Sequence, residues 1–419
     1  MKKSYLLRSV TILYPGSEFN NKTVNVLIND GKITVGAKLT ADNAEVIDMS
    51  GQFLAPGFLD MNANLGEPGL ETKEDIETGS RAAASGGFTG VAVMPNTEPP
   101  IHSKAEVSFI VNRARGGIVN IYPIGALSKG REGKDLAELF DMSLSGARAF
   151  TDGNRPVTDS GLMSRALLYA KGFNGLIFSN PEDSSIAGKG KMNEGVMSTL
   201  LGLKGIPALA EEMVISRDLY LAEYNDAPIH FSTISTRGSV ELIREAKKKG
   251  IQVTCDVAAH NLVFNDEELA GFNSNYKVKP PLRTKDDIKA LLNGLKDGTV
   301  DAIVSQHTPH EIEFKDVEFE IASYGIIGLQ TVLPLALKAK LTPEVIVEKL
   351  AVAPRRILSV PMPDLKDGAL AEFVVFDTNA EWEFNADTNH SRSSNSPLIN
   401  QKLKGKVIFV CNNGQVFIP

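Results

Sequence analysis

Ala55-Pro56-Gly57-Phe58-Leu59-Asp60-Met61 leads straight into Asn62-Ala63-Asn64-Leu65-Gly66-Glu67-Pro68-Gly69. A bulky apolar run of this length, stopped by Asn, Gly and Pro, reads as a short strand buried on both faces that ends in a polar loop. The texture recurs at 88–94, 119–124, 147–151, 175–179, 227–231, 251–255 and 300–305, giving eight candidate strands with helical stretches between them. Two of those helices are legible in detail. Thr284-x-x-Asp287 is a capping box ahead of Ile288, Leu291, Leu292 and Leu295 at i, i+3, i+4 and i+7. Another begins near Ser239, carries Leu242, Ile243 and Ala246, and stops at Gly250. Eight strand–helix units over roughly 300 residues predict an α/β fold closed into a (β/α)8 TIM barrel, which needs about 250. An open doubly wound sheet is the alternative, but the first strand is followed by neither a G-x-G-x-x-G nor a Walker loop.

Outside this region the pattern changes to β-type runs at 6–13, 24–28 and 46–47, with Asn29-Asp30-Gly31 as a tight turn. It returns at 373–376, 407–410 and 416–418, with Asn413-Gly414 as the turn. Both termini are therefore expected to build one small β-sandwich of residues 1–54 plus 355–419 around a barrel of residues 55–354.

The 419 residues carry 44 Lys and Arg against 51 Asp and Glu, a net charge of −7, and 42% are apolar. This is ordinary globular composition, long enough to bury a core without staples. Without basic runs there is no footprint for nucleic acid. Lys247–Lys249 reads as a solvated helix end. Cys255 and Cys411 cannot form a disulfide framework and agree with a reducing, cytoplasmic setting. Met1-Lys2-Lys3 resembles a signal-peptide start, but Arg8 interrupts the apolar stretch. The longest charge-free stretch, 321–337, contains Gly325, Gln330 and Pro334 and is too short for a bilayer.

In a barrel, chemistry sits where the strands run out. Those ends are rich in neutral amides: Asn62, Asn64, Asn96, Asn180 and Gln306. There are six histidines, and no H-x-H, H-E-x-x-H or C-x-x-C, so no ordinary zinc site is advertised.

Ala55–Met61 running into Glu67-Pro68-Gly69, then Gly86-Gly87-Phe88-Thr89, Met94-Pro95-Asn96-Thr97, Lys279-Pro280-Pro281-Leu282-Arg283 and His307-Thr308-Pro309-His310, resembles dihydroorotase. The similarity spans the chain and is to the long bacterial class of the amidohydrolase superfamily. It implies a metal-containing barrel with a small β domain, and a hydrolase of pyrimidine biosynthesis that interconverts carbamoyl-aspartate and dihydroorotate. In that chemistry zinc activates water, and an Asp after strand eight moves the proton.

Carried over position by position, the resemblance places Asn62 and Asn64 at the His-x-His pair, Gly153 at a metal carboxylate and Asn180 at the strand-five histidine. Gln306 stands at the strand-eight Asp. Of the ligand set only His230 remains. Neutral amides are poor zinc donors, and Gln306 cannot be a general base, so no catalytic residue is expected to function. The position of a substrate-clamping Arg is Gly66, and that of an Asn is Lys279, whereas Asn96 and His310 match substrate-contacting positions. Asn96, Lys279 and His310 are the expected substrate contacts. Lys279 either answers an anionic ligand or pairs with a nearby carboxylate.

The expectation is thus a non-catalytic pseudoenzyme without a cofactor, for which the resemblance implies aspartate transcarbamoylase as the partner. A homo-oligomer is left open. Two alternatives stand beside it: an active cyclic amidohydrolase with zinc in a rearranged site, or a sensor of carbamoyl-aspartate or dihydroorotate. A rearranged site would draw on His307, His310, His230, His260, Asp256 or a shifted Asp152. His102 and His390 are expected at the surface, Cys255 in the core, and residues 184–191 in a loop.

Overall fold

The computed structural model describes residues 3–40 and 43–419, so the Met1-Lys2 part of the basic start lies outside them. Its first strands are β1 (Ser4–Ile12), β2 (Thr23–Asn29), β3 (Lys32–Gly36), β4 (Ala44–Asp48) and β5 (Phe53–Ala55). The barrel positions and a small side pair follow: β6 (Phe58–Ala63), β7 (Phe88–Val93), β8 (Asn120–Pro123), β9 (Ile177–Ser179), β10 (Met192–Asn193), β11 (Gly205–Ile206), β12 (Ile229–Phe231), β13 (Val253–Ala258) and β14 (Ala302–Val304). The chain ends with β15 (Phe373–Phe384), β16 (Gln401–Asn412) and β17 (Gln415–Phe417).

Strands β6, β7 and β8 pair in parallel, as do β9, β12, β13 and β14, with Ile229 level with both Ile177 and Val253. Isolated parallel bridges close the ring: Gly125 to Phe150, Phe150 to Ile177, and Ala63 to His307. Every residue of β6 and β7 is buried, as strands covered on both faces require. The candidate strand at 147–151 is the one that fails as a regular element. Only Phe150 pairs; Ala147 N–H bonds Met142 O as the chain leaves the helix Leu139–Leu144, and Arg148 N–H reaches Pro123 O at the end of β8.

The terminal strands form one eight-stranded sheet, ordered β17-β16-β15-β5-β1-β2-β3 with β4 on β1. Beyond β3 the edge is taken up by the approach to β15, since Ile33 N–H donates to Ala369 O and Ala371 N–H to Gly31 O. The sheet thus folds over one core, in which Leu7, Val26, Ile33 and Leu54 meet Phe373 and Phe409. In β2 the inward set Val24, Val26, Ile28 alternates with outward residues. Buried Arg355 ties sheet to barrel through Gly57 O, Ala351 O and Glu372 Oε1.

The helix Lys285–Asp297 carries the Thr284/Asp287 capping box, and Arg237–Lys248 begins at its Thr236 cap. Three sequence expectations are corrected. Residues Ser184–Ala187 are a short helix, because Asp183 caps Ser185 and Ile186 N–H. Lys247 is not a solvated helix end: its ammonium lies 2.7 Å from Asp301 and bonds Gly298 O. His102 and His390 are half-buried, His102 Nδ1 accepting Gly130 N–H and the His390 ring lying against Phe417. Among the described residues no helix is long and apolar enough to cross a membrane.

Candidate functional site

The strand ends converge on one mouth, and their amides bond to one another and to the surrounding backbone and hydroxyls. Asn62, at the end of β6, is 5% exposed and donates from Nδ2 to Ser232 Oγ and Thr233 Oγ1 at 3.2 and 3.3 Å. Asn64 donates to His307 O and Thr308 Oγ1, and its Oδ1 accepts Asn96 Nδ2 at 2.7 Å. Asn180 donates to Gly153 O at 2.9 Å, and Gln306 Nε2 to Lys279 O at 2.8 Å.

Two glycines leave no room for what the resemblance would put there. Gly153 has φ +59°, and a Cβ on it would lie 2.3 Å from Asn96 Oδ1. Gly66 has φ +67°, and its Cβ would meet Glu74 O and Leu70 O at 2.3 and 2.5 Å. At Gly66 a positive φ and backbone contacts this short exclude a side chain, whereas at Gly153 the obstacles are the positive φ and the end of the Asn96 side chain, which would have to move.

His230 lies at the centre with no exposed surface. Its Nε2 donates to Asp256 Oδ2 at 2.9 Å, its Nδ1 is 2.8 Å from Thr254 Oγ1, and its ring packs on Phe178. Asp256 also accepts Thr233 N–H at 2.7 Å. The next buried carboxyl is Asp60 on β6, which accepts Ser305 N–H and Oγ–H at 2.7 Å. Burial pushes its pKa up to about 7, despite those hydrogen bonds.

The remaining histidines do not join this group. His307 Nε2 donates to Glu74 Oε2 at 3.3 Å and its Nδ1 accepts Gly328 N–H. His310 Nε2 donates to Tyr324 O, while its Nδ1 is buried without a hydrogen-bond partner. His260 Nε2 and Asn96 Oδ1 are buried and unpartnered in the same way. Burial lowers His260 and His310 to about 4, so both are neutral at pH 7. Asp152 turns to Ser128, accepting its N–H and hydroxyl, and burial raises its pKa. Among the described residues no group of three or more His, Cys, Asp or Glu is placed to hold a metal ion.

Lys279 lies 2.7 Å from Glu182 Oε1 and over the Tyr324 ring. Cys255 is fully buried and burial raises its thiol, so it is a core residue. Two motif segments meet beside the barrel mouth: Arg283 donates to Asn193 Oδ1, Ile206 O and Ser235 Oγ. Sequence reading had set Asp256 beside the histidines without pairing it to His230, and had passed over Asp60, Glu74 and Glu182. The available signal was a carboxylate set inside or beside an apolar strand run, which burial makes costly unless it is bonded.

A family model described as Dihydro-orotase-like matches residues 51–239. The chain is 45% identical over 404 residues to a dihydroorotase of Geotalea daltonii, covering 94% of this chain and 95% of that protein. It is 44% identical over 405 residues to a dihydroorotase of Acetivibrio thermocellus, covering 95% of each. Among solved structures it is similar in fold to the L-hydantoinase (dihydropyrimidinase) of Arthrobacter aurescens, with a TM-score of 0.84 at 22% identity over 99% of this chain and 96% of that one. That likeness is of architecture, a TIM barrel with a β-sandwich built from the termini. Identity at this level over nearly the full length of both chains settles the relationship: the chain belongs to the dihydroorotase family, in the long class of the amidohydrolase superfamily.

Proposed function

We propose that this chain is a dihydroorotase-like protein of pyrimidine biosynthesis that has given up metal-dependent turnover and acts by binding. The observation that carries this reading is the state of the donors. His230 spends both ring nitrogens on Asp256 and Thr254, and the amides of Asn62, Asn64, Asn180 and Gln306 are each donated to a protein acceptor. A zinc ion asks for thiolate, imidazole or carboxylate lone pairs at about 2.0–2.3 Å, so this donor set does not fit it. Gln306 also has no basic lone pair for proton transfer near pH 7.

Such a scaffold acts through its surface, and we take aspartate transcarbamoylase as the partner, by analogy at the level of the fold. Sedimentation of the purified chain mixed with the aspartate transcarbamoylase of the same cell tests this. A shared boundary supports the association, and independent sedimentation at tens of micromolar removes it.

A second reading is favoured by one observation. Asn96 Oδ1 and His310 Nδ1 are buried without partners, and buried polar atoms ordinarily have one. Both are acceptors, so they suit the amide N–H groups of a small ligand, with Lys279 near by for a carboxylate, and the chain would bind dihydroorotate or carbamoyl-aspartate without converting it. Calorimetry with each compound decides this: a saturating heat that Asn96→Ala removes supports it, and a flat titration ends it. Zinc-dependent turnover in a rearranged site would instead need His307 to leave Glu74, or further donors to be brought to the free Nδ1 of His310.

A further inference from the structure

Where the barrel meets the terminal sheet, a pocket of about 180 Å³ lies between the end of the helix Ile76–Ser85, the helix Val332–Lys338 and the hairpin of β15 and β16. None of the strand-end residues of the mouth lines it. Its wall is apolar: Leu333, Pro334, Val407 and Trp382, the one tryptophan of the chain. The indole is held in place, since its Nε1 donates to Gly405 O at 2.8 Å and its ring packs edge-on to Phe384 at 5.7 Å. The polar end is held too. Gln330 donates to Ser85 Oγ and Thr388 O and accepts His390 N–H at 2.8 Å. A pocket with fixed walls loses little freedom when it is filled.

Three side chains at this pocket have no partner among the described residues. Lys406 is half-buried and makes no ion pair; Asp377, which faces it across the hairpin, accepts Asn379 and Ala380 N–H instead. Asp387 is exposed and makes no ion pair either. Neither ring nitrogen of His390 is hydrogen-bonded. A cation and an anion that do not pair with each other, both set beside one apolar wall, are matched by a ligand that carries both charges and an apolar body.

We propose that this pocket binds a free α-amino acid with an apolar side chain: the side chain on Trp382 between Leu333 and Val407, the carboxylate at Lys406 and the ammonium at Asp387. Size fits this class. An internal cavity of about 150 Å³ takes benzene, so about 180 Å³ takes the side chain of leucine or phenylalanine. Charge decides among ligands of that size. A neutral ring leaves Lys406 and Asp387 unanswered, and an ion of one sign answers one and is repelled by the other, whereas a zwitterion answers both. His390 supplies a further hydrogen-bonding group. The position also gives binding a consequence. Past His390 the same segment runs to the mouth: Ser391 donates to Glu74, the partner of His307, and Asn395 accepts His310 N–H and donates to Thr308 O. A ligand against His390 therefore steadies the segment that holds these two histidines.

Titration of the full chain with L-phenylalanine and with L-leucine, read by the emission of Trp382 and by calorimetry, tests the proposal. We expect saturation by at least one of the two, with a dissociation constant at or below about 1 mM. Its N-acetyl derivative, which lacks the ammonium, and its amide, which lacks the carboxylate, bind at least ~10-fold more weakly. Lys406→Met weakens the amino acid to the same degree and leaves the affinity of the amide where it was. Asp387→Asn does the same with the N-acetyl derivative. Thermal melting at the wild-type value shows that the variants fold, and the two derivatives on the wild-type chain carry the test if either variant does not. Amide exchange across residues 388–396 slows when the pocket is filled. No saturation by either amino acid up to about 10 mM overturns the proposal. So do derivatives that bind as tightly as the amino acid, or an affinity that neither variant changes; binding with unchanged exchange at 388–396 overturns the link to the mouth.

Discussion

At Gly153 the left-handed backbone and the neighbouring Asn96 Oδ1 together decide what the position can hold. Restoring a carboxylate with Gly153→Asp is therefore expected to cost about 1–3 kcal/mol, through strain at positive φ and displacement of Asn96. Chemical denaturation of the variant measures it, and an unchanged midpoint would show that the loop yields freely. Gln306→Asp alone is expected to leave dihydroorotase turnover at background, since Asn62, Asn64 and Asn180 still offer only amides; a rate above background in the standard assay would contradict this. His260 and His310 titrate at about 4 in the fold against 6.5 when free, so the unfolded chain binds the extra protons between those values. Stability from both is complete above pH 6.5 and is lost as pH falls toward 4, on the order of 1–3 kcal/mol each. His310→Asn should flatten that acid limb in melting curves from pH 7 to 4; an identical limb would refute the assignment. At this scale the sequence showed which residue types occupy the strand ends. It could not show that His230 pairs with Asp256, because the partner lies on the neighbouring strand and enters only through the parallel register of β12 and β13.

At the scale of elements, the segment after β14 depends on two buried lysines that no periodicity reveals. Lys277 Nζ donates to the carbonyls of Phe319, Glu320 and Ala322, and Lys315 Nζ to those of Ser274, Ser323 and Gly325. Lysine is usually exposed, so a reading of composition assigns both to the surface. Lys315→Met should leave Ser323 O without a donor, remove one of two donors from Ser274 O and Gly325 O, and cost about 1–3 kcal/mol, with faster amide exchange across residues 311–325. Unchanged exchange there would show that the segment is held by other means. Elements announced by local chemistry were legible: Thr284 and Asp287 fixed one helix start, and the turn residues Asn29-Asp30-Gly31 fixed the β2–β3 hairpin. The run at 147–151 looked the same but contributes one paired residue, Phe150, which bridges to Gly125 on one side and Ile177 on the other, because Ala147 is still bonded back to the preceding helix.

Over the whole molecule, the barrel followed from eight buried runs spaced by helices, and the shared terminal sheet from β-type texture at both ends. Closure could not be read locally, since Ala63 meets His307 across the chain. The family is plain from the motifs at the strand ends, while the proposed loss of activity rests on the amides that stand among them. Zinc content and dihydroorotase turnover in both directions, measured on one purified sample, test that most directly. We expect far less than one zinc per chain and no turnover above background; one zinc per chain, with turnover that a chelator abolishes and zinc restores, would contradict the loss of metal-dependent chemistry.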